Sequence, residues 1–168
     1  MTTQKVAVLD LGTNTFNLLL VKITPKAYYI FHNEKVPVMI GKGGINVGVI
    51  NAEAQKRALD ALHYYQKIIE AENISFVYCF ATSAFRGASN STAFRDLIKE
   101  KTGISINVIS GEQEAEYIYK GVQTAFDIGG DNALIMEIGG GRVESIIANR
   151  SEIAWKQSYN IGAQILLD

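Results

Sequence analysis

The stretch AVLDLGTNTFNLLLVKI, residues 7–23, carries a hydrophobic run into a carboxylate, Asp10, crosses Leu-Gly-Thr-Asn-Thr and resumes the run at Phe16. A second stretch, ALIMEIGGGRVESIIAN, residues 133–149, has the same layout. Laid together without gaps, Asp10-Leu-Gly falls on Glu137-Ile-Gly. Each stretch reads as strand, tight turn, strand, and each opens a group of three predicted strands: 5–11, 16–23 and 27–35, then 133–138, 143–149 and 152–158. Strands this close in sequence predict antiparallel meanders. The pattern is an internal duplication whose second copy stops after its meander. Three strands with no covering helix bury little, so the chain is expected to be part of a longer protein and to have little activity alone.

Between the two copies the periodicity changes. IGKGGINVGVI, with four glycines in eleven residues, reads as a loop of some mobility. Asn51 then caps a long amphipathic helix with Ala54, Ala58, Ala61, Leu62, Tyr65, Ile68 and Ile69 on one face. A strand over 75–82 follows, then a polar break SAFRGASNS, a helix carrying Phe94, Leu97 and Ile98 that ends before Gly103, and a strand over 104–109. A last helix starts at Glu112 and places Ala115, Ile118, Tyr119, Val122 and Phe126 on one side. This order predicts an α/β fold in which a mixed sheet is crossed by helices in right-handed connections.

At 168 residues and 48% hydrophobic, the chain can build a real core. Sixteen basic against seventeen acidic residues give a net charge of -1 with no basic stripe, which argues against a nucleic-acid surface. No segment approaches the run of about 18 apolar residues of a membrane span, and no signal peptide opens the chain, so a cytoplasmic protein is expected. The single cysteine, Cys79, lies in an apolar run and reads as a buried packing residue of a reducing compartment. His32 and His63 are isolated and make poor metal ligands. Trp155, Tyr28, Tyr29, Tyr64 and Tyr65 read as core or rim packing.

A strand ending in Asp-Leu-Gly-Thr-Asn-Thr turns successive backbone N–H groups outward, and glycine lets an anion approach that backbone. Phosphate fits such a cradle. The preceding carboxylate cannot bind an anion, yet it can hold Mg2+, which takes a few oxygen ligands plus phosphate oxygens and keeps several waters. Either turn alone is ordinary hairpin material. Two of them at equivalent places of a repeat, each backed by an acid, point to metal plus phosphate held between two lobes.

VLDLGTNTFNLLL, FATSAFRGASN, VISGEQEAEYIYKGV, MEIGGGRVESII and SYNIGA stand in the order and at about the distances found in the exopolyphosphatase and guanosine-pentaphosphate phosphatase family, which the chain resembles over its whole length. The resemblance implies a ribonuclease-H-like fold of the actin and sugar-kinase superfamily. A first lobe would span 1–127, and 128–168 would be the first strands of a second similar lobe. It implies hydrolysis of the terminal phosphoanhydride of inorganic polyphosphate or guanosine pentaphosphate with Mg2+ or another divalent cation. Glu114, in Ser-Gly-x-x-Glu-Ala, becomes the carboxylate that orients or deprotonates water, and Arg86 a phosphate-gripping arginine. Gly12, Thr13, Asn14, Gly139, Gly140 and Gly141 become the substrate cradle, and Asp10, Glu137 and Glu144 the metal ligands. The family's second turn usually reads Asp-x-Gly-Gly-Gly-Ser/Thr-x-Glu, so Glu137 and Arg142 are departures. Arg142 either replaces a hydroxyl contact with positive charge or points to solvent.

Two other classes share these turns: an ATP-binding kinase-like or actin-like module, and a non-catalytic polyphosphate or nucleotide sensor. Open strand edges in the second copy also predict self-association, with a homodimer as its simplest form.

Overall fold

The computed structural model describes residues 3–168. β1 (Gln4–Leu11), β2 (Phe16–Ile23) and β3 (Tyr28–Val36) form the first meander, and α1 (Ala52–Ala71) crosses from it to β4 (Phe76–Ala81). After α2 (Ser83–Gly87) and α3 (Ser91–Thr102) come β5 (Asn107–Val108) and α4 (Gly111–Ala125). β6 (Ala133–Ile138), β7 (Val143–Ala148), β8 (Ile153–Tyr159) and α5 (Ala163–Leu167) complete the chain. The first sheet has the order β3-β2-β1-β4-β5, antiparallel through the meander and parallel from β1 to β4 to β5. That mixed order and polarity make the fold ribonuclease-H-like, as the family resemblance implies. The second sheet, β6-β7-β8, is the antiparallel meander of the second copy.

Alternation places the core. Ala7, Leu9 and Leu11 of β1 and Phe16, Leu18 and Leu20 of β2 share one buried face. Against it lies α1 through Ala54, Ala58, Ala61, Leu62, Tyr65 and Ile69, where three alanines let helix and sheet approach closely. Asn51 accepts from the Ala54 N–H as the N-cap, and the buried Tyr65 hydroxyl donates to the Phe16 carbonyl at 2.6 Å. Phe85 of α2 stacks on Phe94 of α3, joining both helices to this core. The buried stripe of α4 turns to the second sheet, where Ala115 and Tyr119 meet Ile146 and Ala148.

Several expectations are corrected. The polar break is helix α2, and a five-residue helix α5 follows β8; neither is long enough to show a helical period. The strand expected over 104–109 shrinks to Asn107–Val108, because only Phe80 and Ala81 of β4 offer it a ladder. The glycine-rich loop is a succession of hydrogen-bonded turns, among them Ile45 N–H to Gly41 and Val49 N–H to Gly44. Phe126 lies beyond the end of α4 and is exposed, as are Tyr28, Tyr29 and Trp155. No helix among those residues is long and apolar enough to cross a membrane.

Candidate phosphate and metal site

The two repeats build the same turn. In the first, the Gly12 N–H donates to the Thr15 carbonyl at 3.1 Å; in the second, the Gly139 N–H donates to the Arg142 carbonyl at 2.8 Å. Glycine is favoured at both by proximity, since an added Cβ would stand 3.0 Å from the Thr15 oxygen and 3.1 Å from the Arg142 oxygen. The turns also face each other. A Cβ on Gly140 would come within 2.9 Å of Thr13 Cβ and 3.0 Å of Asn14, so the second cradle sits directly on the first.

Between them lies a cavity of about 100 Å³ bordered by Asp10, Gly12, Thr13, Glu114, Glu137, Gly139, Gly140, Gly141 and Glu144, together with Thr82, Ser83 and Arg142. Among the described residues, no carbonyl or side chain accepts from the N–H groups of Thr13, Gly140 or Gly141, which border this space. Unpaired amides gathered around a small polar space make an anion receptor.

The carboxylates crowd the same space. Asp10, at the end of β1, accepts from Asn17 Nδ2 at 3.0 Å, yet burial raises its pKa. Glu137, at the equivalent place in β6, is pushed up to about 7 by burial and then by its neighbour Glu144. The apolar wall of Phe80, Ile109, Tyr117 and Ile118 borders Asp10, Glu114 and Glu137 from the other side and accounts for that desolvation. Glu144 is 1% exposed; one oxygen accepts from Ser158 Oγ at 2.7 Å and the other has no partner. An unpartnered buried carboxylate oxygen is costly unless a cation meets it. Four acids here face two guanidiniums, Arg86 and Arg142, so the donor set and its charge suit a divalent cation. Among the described residues no group of three or more His, Cys, Asp or Glu side chains is gathered into a metal site of its own. Mg2+ does not need one, because it keeps waters and shares phosphate oxygens.

Glu114 enters from α4. Ser110 accepts from the Gln113 N–H and Gln113 reaches back to the Ser110 N–H, a capping box that fixes the first helical turn. Burial, and secondarily the charge of Glu144, raise the Glu114 pKa against the opposing pull of Arg86. Arg86 donates to Glu114 at 3.0 Å and to the Ile109 carbonyl. It does not border the small cavity itself and reaches it through Glu114. Asn14 likewise stands behind the cradle, packed on Gly140. Thr82 and Ser83 are site residues that sequence reasoning missed, with Ser83 so close to Gly141 that any side chain there would collide. The signal was available: they follow β4, and in open α/β sheets ligands gather beyond the carboxyl ends of parallel strands.

Fold and site together define a ribonuclease-H-like domain with paired glycine turns and acids between two sheets. Residues 19–168 match the Ppx/GppA phosphatase family, and the chain belongs to it. An exopolyphosphatase from Cytophaga hutchinsonii, solved as a crystal structure, is 44% identical with a TM-score of 0.95, covering 98% of this chain and 53% of that one. A guanosine-5'-triphosphate,3'-diphosphate pyrophosphatase from Pseudoalteromonas translucida is 33% identical over 165 residues, 96% of this chain and 32% of its own. MreB5 of Spiroplasma citri shares the fold alone, at 14% identity and a TM-score of 0.51, over 96% of this chain and 54% of that one. The chain thus spans about half the length of the exopolyphosphatase and about a third of the pyrophosphatase.

Proposed function

We propose that this chain forms the catalytic cradle of a phosphoanhydride hydrolase that removes the terminal phosphate of inorganic polyphosphate or guanosine pentaphosphate, in a cytoplasmic, reducing compartment. The observation that carries this reading is the convergence of two equivalent glycine turns and four acids on one cavity of about 100 Å³. Membership of the Ppx/GppA phosphatase family supports it.

Phosphoryl transfer depends on positioning and charge neutralisation. The free amides of the two turns receive the terminal phosphoryl oxygens, and the side chains of Thr13 and Ser83 close around them. Asp10, Glu137 and Glu144 would hold Mg2+ or another divalent cation, which supplies charge neutralisation at the phosphates. Glu114, with its proton affinity raised by burial, orients the attacking water and takes its proton. Arg86 holds Glu114 in place, 3.0 Å away.

The test is phosphate release from polyphosphate, guanosine pentaphosphate and ATP, each with and without Mg2+. Mg2+-dependent release from either of the first two, well above that from ATP, is the expected result. Release from ATP alone would favour a nucleotide-binding module, and binding without release a sensor.

A further inference from the structure

In each sheet the acids of the site stand on one rung of the ladder. In the first sheet Asp10 of β1 pairs with Asn17 of β2, and Asn17 with Lys35 of β3. In the second, Glu137 of β6 pairs with Glu144 of β7, and Glu144 with Ser158 of β8. The rungs are equivalent, yet their donors stand in different places. Asn17, on the middle strand, donates to Asp10 at 3.0 Å, while Lys35 on the outer strand is exposed. In the second rung the middle strand carries an acid, which has nothing to donate when ionised. The donor of that rung is Ser158, on the outer strand, and its hydroxyl donates to Glu144 Oε1 at 2.7 Å.

A serine hydroxyl has one proton to give, and its surroundings direct it here. Arg142 is half-buried rather than turned to solvent, and its Nη1 donates to Ser158 Oγ at 3.4 Å. A guanidinium accepts nothing, so the hydroxyl proton is left for Glu144. Positive charge behind the hydroxyl strengthens the bond in front of it. The serine also stands between guanidinium and carboxylate, and among the described residues Arg142 forms no ion pair that would cancel the charge of Glu144.

Ser158 is held in its turn by α4. A Cβ on Gly111 would come within 2.8 Å of Ser158 Oγ and 2.9 Å of its Cβ, so the first residue of the helix packs directly on it. The capping box of Ser110 and Gln113 fixes that helix start. Ser158 does not border the small cavity, so any effect it has there passes through Glu144. Glu144 is 1% exposed, and with Oε1 occupied its unpartnered Oε2 is the oxygen left for a ligand in the cavity it borders.

We propose that Ser158 is a positioning residue for cation binding: by holding Oε1 it fixes the Glu144 carboxylate with Oε2 presented to the cavity and keeps it apart from Arg142. The inference rests on the proposed role of Glu144 as a metal ligand. It adds a residue that touches neither metal nor substrate.

Titration of the full chain with Mn2+, an oxygen-preferring divalent ion whose free form is read by electron paramagnetic resonance, tests this without turnover. Ser158→Ala should weaken Mn2+ binding by about tenfold or more, the usual effect of losing a hydrogen bond that orients a metal ligand. Ser158→Thr keeps the hydroxyl and should bind nearly as wild type does. Should Ser158→Ala fail to fold, Ser158→Cys decides, since a thiol fills the place with only a weak donor and should lose as much. Wild-type affinity in folded Ser158→Ala or Ser158→Cys overturns the inference. So does a loss in Ser158→Thr equal to that in Ser158→Ala, which would assign the effect to packing. Wild-type protein that binds no Mn2+ overturns the metal role of the acids and the positioning role with it.

Discussion

Glu114 and Glu137 are both acids of raised proton affinity, and their surroundings give them different work. Glu114 is tied to Arg86 at 3.0 Å and keeps a cation beside it, which suits a group that must accept a proton from water during the reaction. Glu114→Gln keeps the shape and removes the base, so phosphate release from polyphosphate should fall by about 10² to 10⁴ with melting behaviour nearly unchanged. Normal release would remove Glu114 from the chemistry. Glu137 has no arginine partner, and burial with Glu144 lifts it from 4.5 to about 7. The folded protein therefore binds a proton that the unfolded chain gives up between those values. The contribution of Glu137 to stability without metal is full below pH 4.5 and is lost as pH rises through about 7. A divalent cation takes the ionised form, so the rise in melting temperature caused by Mg2+ should be small at pH 5.5 and large at pH 8. Equal shifts at both values would remove Glu137 from the metal site.

Among the elements, α4 couples fold to chemistry. Its buried stripe packs on β7 and β8, its first turn carries Glu114, and Tyr117 meets Phe80 of β4 edge to face at 5.7 Å. Ser110→Ala deletes one half of the capping box, a loss of about 1 kcal/mol in stability. Activity should suffer more than stability, because a displacement near 1 Å in a catalytic group can cost about 10²-fold in rate. An activity loss no greater than the fraction unfolded would show that the cap serves the helix alone. The long elements were legible because their side chains repeat: period two in β1 and β2, period near 3.6 in α1 and α4. The equivalence of Asp10-Leu-Gly and Glu137-Ile-Gly in the sequence locates both turns. What escaped had no repeat to show. Helices α2 and α5 are five residues each, and β5 is two residues with a partner only at the tip of β4. Thr82 and Ser83 lie inside FATSAFRGASN, where only Arg86 was singled out, and join the site because β4 lies parallel beside β1. The side chain of Arg142 could not be placed either, since its environment is built from β8 and the start of α4, far from it in sequence.

At the scale of the molecule, the site exists only where the two sheets meet, and several contacts hold them there. Gly140 seats on Thr13 and Asn14, the Gly43 N–H donates to Asp168 at 2.9 Å, and Asn46 donates to the Ile165 carbonyl at 3.0 Å. The glycine-rich loop of the first meander is thus tied to α5, which explains why so many glycines there form ordered turns. The same arrangement leaves the outer face of the second sheet open. β6 is an edge strand, and Leu134, Met136 and Ile138 alternate along its solvent side, each more than half exposed. An uncovered apolar edge invites pairing with another chain, and natural sheets usually blunt it with charge. Self-association of this chain should therefore increase with concentration and weaken in Met136→Lys, which places a lysine at the centre of the edge without touching the cradle. Light scattering across a concentration series reads both. A wild-type protein that stays strictly monomeric, or a Met136→Lys variant that associates as strongly as wild type, would show that this edge does not drive association, since the substitution alters no residue of the anion site.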